Sequence, residues 1–155
     1  MMQGKLDNAE KYFLKCLELN GSFKPALFNL ALVKQKQLHW KESIKRFNNY
    51  IAVAGLSPSV LNQIGFNYLN LNDLPKAKSF LQRSLKISST NINTLILLGD
   101  VFSAQGMAKE AEKSYQMALN LNKDSTMEEL LKNKNSEIVR GLDKDIPQKP
   151  NPWFI

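Results

Sequence analysis

Few side chains in this 155-residue sequence are equipped for chemistry. Catalysis by proton transfer or covalent attack needs a nucleophile, acid or base held by partners in a fixed geometry. The candidates reduce to the single histidine, His39, and the single cysteine, Cys16. His39 stands beside Trp40 in a turn, with no further His, Cys or carboxylate at metal-ligand spacing, so it reads as a surface or packing residue. Cys16 lies on an apolar stripe, where a thiol is buried and inert. Glycine-rich phosphate loops and nucleophile-elbow motifs are absent. The sequence therefore points to no catalytic residue, metal site or cofactor, and leaves surface shape as the means of recognition.

Composition sets wider bounds. Hydrophobic residues at 43% and charged residues at 23% suit one folded domain. Lys and Arg number 21 against 14 Asp and Glu, a formal charge of +7, which favours acidic partners at long range. The bases are spread, with a loose cluster at Lys34, Lys36, Lys41, Lys45 and Arg46. No interleaved aromatic pattern accompanies them, so they read as solvated helix faces and no nucleic-acid partner is expected. One cysteine excludes an internal disulfide and fits a reducing compartment. No apolar run approaches a membrane span, and Met1-Met2-Gln3-Gly4-Lys5 has no hydrophobic stretch behind it. A soluble, cytoplasmic chain is the expectation.

The elements that must shape the surface follow from a period of 34. Ala9, Ser43, Ala77 and Ala111 are all small, as a close helix crossing requires. Four residues on come Phe13, Phe47, Leu81 and Tyr115, then Leu17, Ile51, Leu85 and Leu119, then Leu19, Val53, Ile87 and Leu121. These spacings trace one helical stripe. A preceding helix recurs through Leu27, Leu61 and Leu95, then Leu30, Ile64 and Leu98, each followed by Ala31, Gly65 or Gly99. Glycine inside a helix costs about 0.5 to 1 kcal/mol against alanine, so its recurrence at one phase implies that a side chain there would strike the neighbouring helix. Short polar turns join the two helices of each unit, and Gly4-Lys5-Leu6-Asp7 reads as the turn of the first. Gly21 and Gly55 sit at helix C-termini that call for a left-handed residue, with Pro25 and Pro58 opening the next helices.

This pattern resembles the tetratricopeptide repeat family. Residues 98–121 carry it best, through Leu98-Gly99, Phe102, Gly106, Ala111, Tyr115, Ala118 and Leu121. The resemblance covers residues 4–125 and implies an all-α, right-handed superhelical solenoid of antiparallel helix pairs, about eight helices in all. A repeat domain over 1–140 then comprises a half unit (4–23), full units at 24–57, 58–91 and 92–125, and a capping helix at 126–140, followed by an extended, proline-containing tail (141–155). The family's boundary proline is missing, with Gly21, Gly55, Ser89 and Lys123 in its place. Unit two carries Lys34 for the usual aromatic, Ser43 for alanine and Tyr50 for a small residue, and is expected to be irregular, with splayed or tilted helices.

The resemblance also implies where a partner binds: on the concave face formed by the first helices. Carried over by position, the lining is Phe28, Leu32, Gln35 and Lys36 from unit two, Ser59, Asn62, Phe66, Leu69 and Asn70 from unit three, and Asn93, Ile96, Asp100 and Ser103 from unit four. Apolar pockets and amides of this kind suit an extended peptide, or part of the apolar surface is core between units. One subfamily clamps chaperone C-terminal carboxylates with two Lys, two Asn and one Arg. Those places here hold Phe28, Leu32, Gln63, Asn93 and Leu97, so no such clamp is expected.

Both ends carry apolar surface. Leu6 to Leu19 is a second helix without its first-helix partner, which exposes Ala9, Phe13, Cys16 and Leu17 and implies a longer repeat protein or a covering chain, including a second copy. The capping helix presents Met127, Leu130, Leu131, Ile138 and Val139. Trp153, Phe154 and Ile155 either pack on their own domain or dock in a groove. The resulting expectation is a non-catalytic scaffold or adaptor that holds a peptide or partner domain, against the alternatives of a self-assembling structural module and an accessory domain of a larger complex.

Overall fold

Proline and capping side chains mark where helices begin. Ser57 Oγ accepts the Val60 amide at 3.4 Å, Asp73 Oδ1 that of Lys76 at 3.3 Å and Asn91 Oδ1 that of Thr94 at 3.0 Å. Pro25, Pro58 and Pro75 occupy first-turn positions, where a missing N–H costs nothing. A computed structural model describes residues 2–122 and 125–144, and the described residues form eight helices. They are α1 (Met2–Leu19), α2 (Lys24–Lys36), α3 (Trp40–Ala54), α4 (Pro58–Asn70), α5 (Leu74–Ile87), α6 (Ile92–Ala104), α7 (Ala108–Leu121) and α8 (Ser125–Lys144). Each packs on its sequence neighbour, and α4 also meets α6, so the pairs α2–α3, α4–α5 and α6–α7 stack side by side.

The core is a chain of local clusters. Ala31, Ile44, Phe47, Val60 and Ile64 join unit two to unit three, and Ala77, Leu81, Leu98 and Val101 join unit three to unit four. Leu95, Ala111, Tyr115, Ala118 and Leu131 seat α8 on unit four. The glycine phase behaves as its spacing implies. A Cβ on Gly65 would stand 2.8 Å from Leu81 Cγ, and one on Gly99 2.3 Å from Tyr115 Cε1.

One turn position repeats in a conformation that the residue types conceal. Leu38, Asn72 and Gly106, spaced 34 apart, have φ of 63°, 57° and 74°. The left-handed region costs a side-chain-bearing residue such as Leu38 about 1 to 2 kcal/mol, and its side chain is two-thirds exposed.

Several expectations need correcting. Gly4–Asp7 is not a turn but part of α1, where Gln3 Nε2 donates to Asp7 Oδ1 one helical turn on (3.1 Å). Gly55 is left-handed (φ 82°), whereas Gly21 is not among the positive-φ residues. Helix α8 runs four residues past the expected boundary, to Lys144. Leu131 is its fully buried anchor and Ile138 packs beside it, while Leu130 is half exposed. The stripe of second-helix residues divides. Phe47, Leu81 and Tyr115 are buried, but Leu19, Val53, Ile87 and Leu121 are all exposed.

Unit two is not splayed; α2 and α3 pack as closely as the other pairs. Ser43 is fully buried and its hydroxyl donates to the Ala31 carbonyl at 2.8 Å. Lys34 buries its stem and places its ammonium 2.6 Å from Glu10 and 3.5 Å from Glu42. The same seam recurs with different chemistry. Ile44 and Tyr68 share an apolar cluster at the next junction, and Lys78 lies 5.1 Å over the Phe102 ring at the one after.

Candidate binding groove

The concave side of units two to four carries a groove of about 430 Å³. Two successive first helices supply matched positions: Ser59, Asn62 and Gln63 from α4, then Asn93, Ile96 and Leu97 from α6. Gln35 of α2, Phe66 and the N-cap residue Asn91 complete the lining. No lining side chain is charged. Phe66 is held edge-on by Trp40, with centroids 5.9 Å apart, which fixes its ring at the wall.

The floor is a hydrogen-bonded polar seam. Thr94 Oγ1 donates to Asn62 Oδ1 at 2.8 Å, Ser84 Oγ lies 2.9 Å from Thr94 Oγ1, and Asn62 Nδ2 donates to Asn91 Oδ1 at 3.3 Å. At the preceding junction Gln35 Nε2 donates to Asn67 Oδ1 at 2.8 Å, and Asn67 Nδ2 donates to Ser43 Oγ at 2.9 Å. Asn67, Ser84 and Thr94 are fully buried, so these bonds satisfy groups that water cannot reach. They also fix the register of one unit on the next.

The expected lining residues therefore separate. Gln35, Ser59, Asn62, Phe66, Asn93 and Ile96 come together. Asn62 does so as floor, with its amide oxygen already engaged. Phe28 and Leu32 turn to the core, the Phe28 ring meeting Phe47 at 5.3 Å and Tyr50 at 5.1 Å. Leu69 packs in the next cluster, Asn70 bonds the Phe66 carbonyl, and Lys36 lies exposed outside the groove. Gln63 and Leu97, carried over only as clamp positions, also line the groove, and Asn91 is the lining residue that the carry-over left out.

Asp100 and Ser103 belong to a separate recess shaped by α8. Asp100 Oδ1 accepts from Tyr115 Oη and from Lys134 Nζ, both at 2.5 Å, which pins α8 to α6 and α7. Burial, and then the Asp100 carboxylate, push the Tyr115 hydroxyl well above its ordinary range, so it stays a donor. At the other end, Phe13, Cys16 and Leu17 are half-buried, and Tyr12 and Leu19 are the outlying apolar residues of α1. Cys16 is thus less covered than its stripe implied. Trp153, Phe154 and Ile155 lie outside the described residues. Among the described residues His39 is exposed, no three His, Cys, Asp or Glu gather as a ligand set, and no helix is long and apolar enough to cross a membrane.

A tetratricopeptide repeat family pattern matches residues 56–124 and a second one matches residues 3–23, together more than half of the chain. No curated protein matches the sequence. Among solved structures, the first TPR of Spaghetti (RPAP3) bound to the HSP90 peptide SRMEEVD superposes with a TM-score of 0.68 at 17% identity, covering 77% of this chain and 93% of that one. The Cut9 and Hcn1 hetero-tetramer of the APC/C gives 0.79 at 19% identity, over 90% of this chain and 27% of that one. MamA gives 0.69 at 13% identity, over 92% of both chains. The chain belongs to the tetratricopeptide repeat family and has its all-α superhelical fold, which is generally a non-catalytic protein–protein interaction module.

Proposed function

We propose that this protein is a non-catalytic scaffold whose concave groove holds an extended, uncharged segment of a partner protein. The observation that carries this reading is a lining of amides, one hydroxyl and three apolar side chains with no charge among them. Asn93 and Gln63 offer donors and acceptors to a peptide backbone, Asn91 offers its amide N–H groups, its oxygen being engaged by Thr94 and Asn62, and Phe66, Ile96 and Leu97 offer apolar walls to its side chains. The positions where a carboxylate clamp would stand hold Phe28, Leu32, Gln63, Asn93 and Leu97, which include no cation to pair with an acidic terminus. The fold shared with the RPAP3 domain thus serves a different ligand chemistry here, and SRMEEVD is not the expected guest.

The test is affinity capture from native lysate with the full chain and with a Ser59→Trp, Asn93→Trp double variant. Both residues are exposed at the groove, so the indoles block it without touching the core. Loss of the captured partners, with an unchanged melting temperature, supports the reading; recovery of the same partners overturns it.

A further inference from the structure

The outward stripes of the four second helices repeat one arrangement. In steps of four residues, α1 presents Lys11, Lys15 and Leu19, and α5 presents Ser79, Arg83 and Ile87. Helix α3 follows with Lys45, Asn49 and Val53, and α7 with Lys113, Met117 and Leu121. Steps of four keep each trio on one helix face. Every member of this array is exposed and none is acidic. Among the described residues, Lys11, Lys15, Lys45 and Lys113 make no ion pair, while Glu42, the acid of α3, is turned to Lys34 and Arg46.

The array has two unlike edges. One is basic, led by Lys11, Lys45 and Lys113 and reinforced by Lys15 and Arg83. The other is an apolar row in which Leu19, Val53, Ile87 and Leu121 are 83%, 38%, 53% and 37% exposed. Isolated exposed apolar residues are ordinary, but an exposed apolar side chain at the same position of every repeat makes a regular row. Eight residues separate the edges, about 12 Å of helical rise, which is about the diameter of an α-helix with its side chains.

We propose that this outer face docks an acidic amphipathic helix of a partner protein, laid across the repeats. Its carboxylates would meet the basic edge and its apolar side chains the line from Leu19 to Leu121. Charge complementarity and the width of the array both favour this occupant. The connections beyond the apolar edge carry exposed Phe23 and Leu56 beside the polar Asn20–Ser22 and Ser88–Asn91, so a membrane is set against the helix as a competing outcome of the test. A nucleic acid would leave the apolar line unmatched and finds no aromatic ring in the array to stack on.

The probe is a fluorescent helical peptide of about 20 residues, with Glu on one flank and Leu on the other, titrated into the full chain by anisotropy. A scrambled peptide of equal composition, phosphatidylserine vesicles and duplex DNA are the comparison ligands. The amphipathic peptide should bind with an affinity that falls as salt rises. Leu19→Ser with Ile87→Ser should weaken it by about tenfold or more, as should Lys11→Glu with Arg83→Glu. Unchanged melting temperatures establish that these variants fold, and the Ser59→Trp, Asn93→Trp variant should bind like wild type. Equal binding of the scrambled peptide, or wild-type affinity in the array variants, overturns the proposal. So does array-dependent binding of vesicles or DNA without binding of the peptide.

Discussion

The two faces of this solenoid divide the work of holding the fold and presenting a surface in opposite ways. On the concave side they are joined: Asn62, Thr94 and Ser84 line or underlie the groove and also lock unit three to unit four. On the outer side they are separate, because Lys45, Ile87 and the rest of the array are exposed and outside the core clusters. Both faces obey the same 34-residue period. Repetition gives neither face its character by itself; that depends on whether the repeated position is covered by the next unit.

Stability measurements sharpen this contrast, and the largest effect belongs to the concave seam. Asn67→Ala removes the group that bridges Gln35 and Ser43 at a fully buried position, and chemical denaturation should show a loss of about 2 to 3 kcal/mol. Gly99→Ala drives a methyl into the Tyr115 ring. The helix-propensity gain offsets part of that clash, leaving a loss of about 1 to 2 kcal/mol by the same assay. Leu38→Gly relieves a left-handed leucine with an exposed side chain and should stabilise by about 1 kcal/mol.

Smaller effects follow at the ends of the seam and on the outer face. The hydrogen bond from Lys34 lowers the Glu10 carboxyl below its usual range, with Gln37 adding to the effect. A depressed carboxyl stabilises the fold above its unfolded pKa and loses that contribution as pH falls through the folded one. Thermal midpoints should therefore favour wild type over Glu10→Gln at neutral pH and converge in the acid range. Lys45→Glu and Ile87→Ser should move stability by less than about 0.5 kcal/mol, and a larger loss would mean that the outer face is not independent of the fold.

Helices α2 to α7 and their order were legible in the sequence because a 34-residue period fixes both hydrophobic phase and turn position, but the same period places a turn at Gly4–Asp7, where α1 runs through. Gly65 and Gly99 even marked where the neighbouring helix presses closest. The polar seams were harder to see. Asn67 occupies the phase of buried Val33 and Val101, and Ser43 that of Ala77 and Ala111. Read singly, Ser43 and Lys34 are departures from the repeat in unit two; read with Asn67 and Glu10, they are matched pairs. A polar residue at a buried phase was the available signal, but its partner lies 24 residues away in both cases, in another helix. The groove was legible only in part for a related reason. Position in the repeat located Asn93 and Ile96, yet Phe28 and Leu32 at similar positions turn to Phe47, Tyr50 and the core of unit two.

The most direct test of the division between faces is one peptide library selected on three proteins: wild type, the Ser59→Trp, Asn93→Trp groove variant and the Leu19→Ser, Ile87→Ser outer variant. Two classes of peptide are expected, an uncharged class lost only on the groove variant and an acidic, amphipathic class lost only on the outer variant. Acidic peptides that depend on the groove, or uncharged ones that depend on Leu19 and Ile87, would contradict the account.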